Sequence, residues 1–506
     1  SADITVANGS TLKGGNGTIL EVTGKASANF VVDNSALQGN VSVSSNGAAD
    51  VTIRNRGSIK GELLGLTSLT LNSGGTWKMV ADAMTNSIAM AGGVVELGER
   101  GGAYHTLTVG TLSGAGLFVL NTDVAGGQGD LLVVTGTASG NHRLAIRNSG
   151  AEPEPTDVLQ VVDTNGGGAS FSLLGRGVDL GVRQYQLEQR GDDWYLVGTD
   201  DVTPSTATIV GLASVWPTIW YGETASLRQR MGDLRLGKAG HDTGLWMRSY
   251  GSGFGVDLGA GLGYDHNQWG VTIGADRDVP VDSGQLFIGA LAGYSKSDLD
   301  FDIGSSAEVK SYYAGAYATW LGDDGYYVDG LFKVNRFDND AHVIMSDGTN
   351  AFGGYNSWSF GGQVEVGRTI AGPDNWFFEP FAQLSAAHAS SDDYSLDNGM
   401  RAETDAMTSF VGRVGLTIGL NHATEAGGTV QPYLRLAVAQ EFAAKNDVIV
   451  NDTRFDNDLT GTRGEIGIGV AAQLSESLQI HGNFDYAKGD NIEQKWGANV
   501  GLRYAF

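Results

Sequence analysis

Two glycine-rich patterns in the sequence are of the kind that binds ligands. Gly467-x-Gly469-x-x-Ala472 matches a relaxed dinucleotide-binding fingerprint, but it stands inside an alternating, strand-like run and opens no predicted helix. The segment 126–130 is similar to calcium-binding nonapeptide repeats, yet it occurs once and is one residue short. Acidic loops at 298–302 and 452–458 are predicted to be solvated surface. We therefore predict no metal site and no cofactor.

Catalytic patterns are also missing from the sequence. It contains no Gly-x-Ser-x-Gly elbow, no P-loop lysine motif and no His-Glu-x-x-His pair. The 8 histidines are scattered, and we expect them at solvated positions or inside a barrel. The prediction is a chain that is not an enzyme.

Charged residues of the sequence fall at alternate positions of strand-like runs. Asp329, Lys333 and Asn335 face one way, whereas Phe332 and Val334 face the other. Charges on the inner face of a soluble sandwich would be costly, whereas a barrel in lipid has a wet interior for them. There they would be hydrated, or paired with arginines of an inserted helix. The predicted lumen-facing charges are Glu365, Glu379, Arg413, Arg463 and Glu465.

The last stretch of the chain shows the same alternation. Trp496, Tyr504 and Phe506 lie on one apolar face, with small or polar residues opposite. From Leu245 onward the sequence predicts about twelve strands, an even number that leaves room for one helix inside a barrel. Aromatic residues near strand ends would form interfacial girdles. Those predicted are Trp269, Trp320, Trp376, Trp496 and Tyr504.

A helical period interrupts the β pattern between Thr206 and Leu236. Apolar residues recur at helical spacing, and Arg228, Arg230 and Arg235 crowd the end. Pro217 should kink or divide this helix. Two interpretations remain open here, an amphipathic linker helix and a helix inside the barrel.

Short β runs recur roughly every ten residues from Asp3 to about Ala125, separated by Asn-Gly and Gly-Gly turns. A β-sandwich and a parallel solenoid both fit, and such short runs with many corners favour the solenoid. A final hairpin, with Tyr185, Leu187, Trp194 and Leu196, would cap its open end.

Composition limits the function classes. The formal net charge of −25 argues against a nucleic-acid partner, and the absence of cysteine excludes disulfides. No apolar run reaches the about 18 residues of a membrane helix, which leaves barrel strands possible. Ser1 opens directly on strand-like sequence without a signal peptide, so an exported chain of this sequence would be processed or truncated.

Several motifs together resemble one family. Gly129-Asp130, Gly140-x-His142 and Asn148-Ser149-Gly150-x-Glu152-Pro153 resemble the passenger end of pertactin-like proteins. Trp220-x-x-Glu223-x-x-x-Leu227-x-x-Arg230 resembles the helix before an autotransporter barrel, and the barrel segments also match. The similarity runs from about Leu69 to Phe506 and identifies the chain as a monomeric (type Va) autotransporter of the pertactin/AIDA type.

This resemblance implies an all-β fold with four parts. They are a right-handed parallel β-helix stalk at 1–125, an autochaperone region at 110–200, a linker and lumen helix at 201–240, and a twelve-stranded antiparallel barrel at 241–506. The implied lumen-helix residues are Trp220, Glu223, Leu227, Arg228, Arg230 and Arg235.

The family's export route is implied as well. The barrel would lie in Gram-negative outer-membrane lipid, inserted by the barrel-assembly machinery with periplasmic chaperones. The assembly signal would be Trp496, Tyr504 and Phe506. The passenger would pass outward and fold first at its end, with Tyr185 to Gly198 as the seed.

The resemblance leaves the passenger's own role open. An adhesin or virulence role is expected, with the host surface or neighbouring passengers as candidate partners. A protease or esterase domain would have to precede Ser1. Some relatives cut themselves at an Asn-Asn pair, but no asparagine occurs from Thr203 to Asp265, so we do not carry that chemistry over.

Overall fold

The computed structural model forms two compact units. The first comprises Ser1–Thr203 with Ser346–Gly348, and the second Pro204–Met345 with Thr349–Phe506. The structure describes residues 1–149, 151–225, 243–259, 262–301, 304–424, 428–443 and 445–506.

The first unit consists of 19 strands. They are β1 Ala2–Val6, β2 Thr11–Val22, β3 Ser27–Asp33, β4 Ala36–Val43, β5 Ala48–Arg54, β6 Ser58–Lys60, β7 Leu63–Leu64, β8 Ser68–Asn72, β9 Thr76–Lys78, β10 Ala83–Glu96, β11 Thr106–Asp123, β12 Gln128–Gly129, β13 Leu131–Val134, β14 Asn141–Asn148, β15 Val158–Thr164, β16 Ser170–Leu173, β17 Val178–Leu180, β18 Arg183–Arg190 and β19 Asp193–Val202.

Parallel pairing between strands two or more apart in sequence makes this unit a solenoid, as predicted. One inward column runs from Phe30 through Val51, Leu69 and Ile88 to Leu112, all buried and in register. Because side chains alternate across each short strand, every second residue enters this column and the others face outward. Stacked turns therefore share one continuous apolar core.

The solenoid ends in an antiparallel cap. Strands β17, β18 and β19 pair antiparallel in order, and β19 also pairs antiparallel with β15. Parallel pairing itself continues to β16, beyond the predicted end of the stalk at residue 125. The cap occupies hydrogen-bonding groups that the last strands would otherwise leave open.

The second unit is a barrel with two helical segments inside and several small strands. Its strands are β20 Thr243–Asp257, β21 Gly263–Val279, β22 Gln285–Asp300, β23 Ser306–Leu321, β24 Tyr326–Ile344, β25 Asn350–Arg368, β26 Ile370–Ala371, β27 Trp376–Ala389, β28 Asp392–Ser395, β29 Arg401–Thr404, β30 Met407–Leu420, β31 His422–Ala423, β32 Thr429–Ala443, β33 Lys445–Val450, β34 Thr453–Asp458, β35 Gly461–Gln473, β36 Leu478–Gly489 and β37 Ile492–Ala505.

Twelve long strands close this barrel. Each pairs antiparallel with its neighbours in the order β20 to β25, β27, β30, β32, β35, β36 and β37, and β37 pairs with β20. The alternation that the sequence predicts is present: Phe332 is 54% exposed, whereas the adjacent Lys333 is fully buried. An apolar outer face around a polar interior is the arrangement of a membrane barrel.

The two ends of the barrel differ. Tight turns join β21 to β22, β23 to β24 and β35 to β36 at the end that also holds the C-terminal residue. At the other end the two longest connections pair to form the small sheet β28-β29-β33-β34. Short turns are typical of the periplasmic side, so the small sheet marks the outer side.

Two helical segments precede the barrel strands. Helix α1 spans Pro204–Ser214, and α2 covers 216–225, with a break at Val215 where the sequence predicts that Pro217 divides the helix. A short 3-10 helix lies at Pro373–Asn375. In the part of the chain that the structure describes, no helix is long and apolar enough to cross a membrane.

Two glycines of β22 make room for aromatic rings. A Cβ on Gly293 would lie 2.3 Å from Cζ of Tyr313, and one on Gly289 would lie 2.3 Å from Cζ of Tyr317. Each tyrosine is directly opposite its glycine on β23 and folds flat over it. The glycines thus fix where these tyrosines stand inside the barrel.

Candidate functional site

The interior of the barrel is filled by the helical segments. Helix α1 is buried on nearly all sides and contacts β21, β23 and β24. Its Gly211 approaches the barrel wall so closely that a Cβ would lie 2.4 Å from the ring of Phe301. Of the two interpretations of this stretch, the helix inside the barrel is the correct one.

A buried ion pair anchors α2 to the barrel wall. The Glu223 carboxylate pairs with the ammonium group of Lys333, and its Oε2 also accepts a 2.7 Å hydrogen bond from Asn335 Nδ2. Its Oε1 accepts a 2.9 Å hydrogen bond from the Ser295 hydroxyl. All four side chains are fully buried. The cluster joins the helix to β22 and β24.

Aromatic rings complete the surroundings of the Lys333 ammonium group. It lies 4.1 Å from the ring centroid of Trp220 and 4.9 Å from that of Tyr313. A desolvated cation gains from ring faces as well as from its carboxylate. Trp220 and Glu223, both predicted from sequence, therefore act on the same wall residue.

Tyr221, which follows Trp220 in α2, attaches the helix to a second part of the barrel wall. The hydroxyl of Tyr221 donates to Glu441, which also accepts from Ser409 Oγ and from the Phe410 backbone N–H, both at 2.7 Å. The Arg463 guanidinium lies 4.5 Å from the centroid of the Tyr221 ring. Polar contacts thus attach the helix to opposite parts of the barrel wall.

Predicted lumen charges are paired within the wall itself. Glu465 accepts hydrogen bonds from Arg413 Nε at 2.8 Å and Nη2 at 3.0 Å, and from Arg463 Nε at 3.2 Å. Glu365 lies 3.8 Å from Arg435 and accepts from the Tyr327 hydroxyl at 3.0 Å. Arg413 and Arg435 reach these acids from other strands, whereas Arg463 lies on the same strand as Glu465.

Glu379, the last of the predicted lumen-facing charges, lies apart from these ion pairs. Glu379 is half-buried on the inward-facing side of β27, near its start, and accepts a 2.9 Å hydrogen bond from the Thr369 hydroxyl. The predicted helix residues Leu227, Arg228, Arg230 and Arg235 lie outside the described residues.

The residues of the predicted assembly signal share the outer face of β37. Trp496, Tyr504 and Phe506 are exposed, and the last two rings lie 6.2 Å apart. The expectation that girdle aromatics lie near strand ends is wrong for Trp269 and Trp496, which stand well inside β21 and β37. Barrel strands reach 19 residues, far more than the about ten that cross a bilayer, so the bilayer boundary falls within them.

The capping hairpin of the solenoid contains the four predicted seed residues. Tyr185 and Leu196 are fully buried, and Leu187 and Trp194 pack on the core from its edge. The Tyr185 hydroxyl donates a 2.8 Å hydrogen bond to the carbonyl of Glu154. The structure therefore brings all four into the closing end of one core.

Asp130 is a residue whose role the sequence did not reveal. Its buried carboxylate accepts hydrogen bonds from the backbone N–H of His105 at 2.7 Å, and from the N–H and side-chain amide of Asn121 at 2.7 and 2.9 Å. From its position just before β13, Asp130 thus satisfies donors at both ends of β11. The Gly129-Asp130 pair was the available signal, and in the sequence it supported only the family resemblance and an incomplete similarity to calcium repeats.

His142 contradicts the expectation for histidines. It is buried in the solenoid core, with ring centroids 5.7 Å from Phe118 and 5.4 Å from Phe171. Burial lowers the pKa of its imidazole below the ordinary value, while a hydrogen bond to the Ser139 carbonyl opposes that shift. The alternation of β14 could have placed it on the apolar face.

This burial predicts acid sensitivity of the passenger end. The folded state disfavours the charged imidazole, so no stability is lost above the ordinary pKa, about 6.5. As the pH falls below that value, the free energy of unfolding should drop by about 1.4 kcal/mol per unit, down to the lowered pKa of the folded state. Urea unfolding of the solenoid between pH 7.5 and 5 measures the slope.

Two variants distinguish this source of acid sensitivity from others. His142→Phe should remove this residue's contribution to the pH dependence of the free energy of unfolding, because no imidazole is left in the core. His105→Gln, which removes the other passenger histidine, should keep it. An unchanged slope in His142→Phe would show that the acid sensitivity has another origin.

Fold and interior together define a class of protein. A closed barrel with an apolar outer wall, sealed by a helix that polar contacts hold, is a transmembrane outer-membrane barrel, and the same chain carries a parallel solenoid. Comparison with family models agrees: residues 245–485 match the "Autotransporter beta-domain" and residues 85–198 match "Pertactin".

Curated relatives place the chain more narrowly. Autotransporter CRAC of Citrobacter rodentium is 37% identical over 93% of this chain and 31% of its own length. The BrkA autotransporter of Bordetella pertussis is 33% identical over 100% of this chain and 51% of its own length. Adhesin/invasin TibA of Escherichia coli is 31% identical over 93% and 54%.

The chain belongs to the autotransporter family. Its barrel lies in the Gram-negative outer membrane and its β-helical passenger is at the cell surface. The chain spans between about a third and about half of the length of these three relatives.

Proposed function

We propose that the passenger end folds first at the cell surface and that its folding helps to drive export through the barrel. The observation that supports this is the capped end of the solenoid, where Tyr185, Trp194 and Leu196 join a single continuous core. A capped end offers a finished surface on which the preceding turn can stack. Further turns are then added one after another toward the N-terminal end of the passenger.

Burial of apolar side chains in the folding passenger supplies the free energy for export. No nucleotide is needed if each turn that emerges buries apolar side chains, at about 25 cal/mol per Å² of area removed from water. Trp77 and Phe118 are examples, each fully buried in the shared apolar core. Sliding back would expose these side chains again, so folding outside makes export directional.

Insertion of the barrel is proposed to involve the barrel-assembly machinery and periplasmic chaperones. Support comes from the last strand, whose outer face presents Trp496, Tyr504 and the terminal Phe506 without covering side chains. An exposed row of aromatic side chains on the final strand is a surface that a receptor can contact.

The passenger is proposed to act as an adhesin, by binding and not by catalysis. TibA, a relative, is named an adhesin/invasin. On the outside of the solenoid, Asp3, Asn29, Asp50 and Ser68 stack in register, with hydrogen bonds from Asn29 to Asp3 and from Ser68 to Asp50. Such a polar ladder fits a host surface or another passenger. Cell aggregation with and without residues 1–200 tests it.

The export proposal has a direct test in the cap. Trp194→Ala combined with Leu196→Ala should remove most of the protease-resistant passenger from the cell surface, because buried large-to-small changes cost about 2–5 kcal/mol each. Surface display by flow cytometry and resistance to added protease are the measurements.

A matched control lies on the other face of the same strand. Tyr195→Ala with Val197→Ala truncates two large side chains outside the core cluster and should preserve display. Normal export and protease resistance in the Trp194/Leu196 variant would refute the proposal.

A further inference from the structure

The barrel is closed by pairing between its first and last strands, and we call this β20/β37 pairing the seam. β20 lies between β37 on one side and β21 on the other. Strands pack about 4.8 Å apart, so side chains of β37 must reach across roughly 10 Å to meet β21. Two ion pairs do so.

The inner pair lies at the periplasmic end of the seam. Arg503 Nη2 of β37 lies 3.2 Å from Asp276 Oδ1 of β21, and both side chains are nearly inaccessible. The other Asp276 oxygen accepts a 2.8 Å hydrogen bond from Tyr317, whose hydroxyl accepts one from Trp246 Nε1 at 2.7 Å. The pair is thereby tied to β20 and β23 as well.

The outer pair lies toward the end of the seam that is opposite the periplasmic end, and on the outer face of the barrel wall. Lys495 Nζ of β37 lies 2.6 Å from Asp265 Oδ1 of β21, and both side chains are about half exposed. The register of β37 shifts here, so that Lys495 and Trp496 both face outward. Trp496 lies beside Gly253 of β20, where a Cβ would come within 2.3 Å of its Nε1.

Glycines of β20 leave the path of both pairs open. A Cβ at Gly244 would lie 2.7 Å from Arg503 Nη2, and one at Gly255 would lie 3.0 Å from Lys495 Cε. The strand that is crossed thus lacks side chains where the two bridging side chains pass. Extended glycine costs conformational entropy, which makes a local reason for it necessary.

We propose that the ion pairs Arg503–Asp276 and Lys495–Asp265 form a clamp over β20, so that the last strand docks stably only on a preformed β20–β21 hairpin. Because both acceptors belong to β21, β37 cannot complete either pair with β20 alone. Closure of the barrel is thereby ordered: the first hairpin forms, then the seam closes. The two pairs hold opposite ends and opposite faces of β20, which also resists slippage of its register.

Closure can be timed with engineered disulfides, since the chain has no cysteine. Leu245→Cys with Tyr504→Cys reports the seam, and Ile288→Cys with Ala318→Cys reports the β22–β23 pairing, each between directly opposite, outward-facing residues. The full chain is refolded into phospholipid vesicles, and cross-linking is followed on gels. Asp276→Ala should slow the seam cross-link about tenfold or more, with the β22–β23 cross-link unchanged, because it removes the buried carboxylate with which the Arg503 guanidinium pairs across β20.

A matched control is a bridging pair elsewhere. Arg413 and Glu465 meet across β32, away from the seam, so Glu465→Ala should not delay the seam cross-link selectively. If Asp276→Ala does not fold, Asp265→Ala removes the exposed pair and should show a smaller seam-specific delay, which Asp265→Lys with Lys495→Asp should reverse. Equal delays at both cross-links, or none at the seam, would overturn the clamp.

Discussion

Replacement of Glu223 by alanine is expected to unseat the helix from the barrel and open the pore. The substitution leaves the ammonium group of Lys333, which is fully buried, without its carboxylate. Loss of one partner from a buried pair costs about 3–5 kcal/mol. That raises the population of unseated helix by roughly two to three and a half orders of magnitude. Single-channel conductance in planar bilayers should show frequent large openings that the parent chain lacks.

Removal of both charges of the Glu223–Lys333 pair tests whether the openings arise from an unpaired buried charge or from lost packing. Glu223→Gln with Lys333→Met keeps one acceptor oxygen, for either Asn335 or Ser295, and removes both charges of the pair, so it should close most of the openings again. Glu308→Ala is the control, because Glu308 pairs with Lys296 and Lys310 at the partly exposed outer wall, where ion pairs contribute little. Quiet channels in Glu223→Ala would show that the helix is held by other contacts.

Local periodicity was sufficient to predict the faces of most barrel strands. Phe332 and Lys333 are adjacent, yet one meets lipid and the other the interior, and alternation alone assigns them. Likewise, the change from a period of two to a helical period placed a helix before the barrel, and the break at Val215 lies two residues before Pro217. These features depend only on neighbours in sequence.

Partners across the barrel could not be predicted in this way. Lys333 and Glu223 are 110 residues apart, and Arg413 and Glu465 are 52 apart. Periodicity states which face a side chain occupies, but the strand that it meets depends on register, closure and the path of the helix. The expectation of charges that are hydrated, or paired with Arg228 and Arg230, did not include partners within the wall, and those two arginines lie outside the described residues.

In the solenoid too, local features could be predicted from the sequence, whereas contacts between turns could not. Its short strands and turns were readable, whereas the burial of Asp130 was not, because an aspartate beside a glycine is an ordinary turn signal. The β11–β12 hairpin brings the Asn121 N–H to that carboxylate, whereas only stacking of β13 on β11 brings the His105 N–H to it. Polar residues that a parallel stack buries carry no periodic signature of their own.

Replacement of Asp130 by alanine should cost the passenger end more stability than any surface change. Three N–H donors around the site lose their acceptor, and a buried donor without a partner costs about 1–3 kcal/mol. We expect a loss of about 3–5 kcal/mol in the free energy of unfolding of the solenoid. Urea-dependent proteolysis of the passenger in the full chain, with the barrel in detergent, measures it.

Asp3→Ala is the matched control for Asp130→Ala, since exposed Asp3 accepts only a 3.3 Å hydrogen bond from Asn29 among the contacts described. It should change the midpoint little, because exposed polar pairs contribute marginally. The urea midpoint of Asp130→Asn should fall between those of the two alanine variants, since its one side-chain oxygen still accepts while its NH2 group faces a donor. If Asp130→Ala and Asp3→Ala unfold at the same urea concentration, the carboxylate is not what holds these turns together.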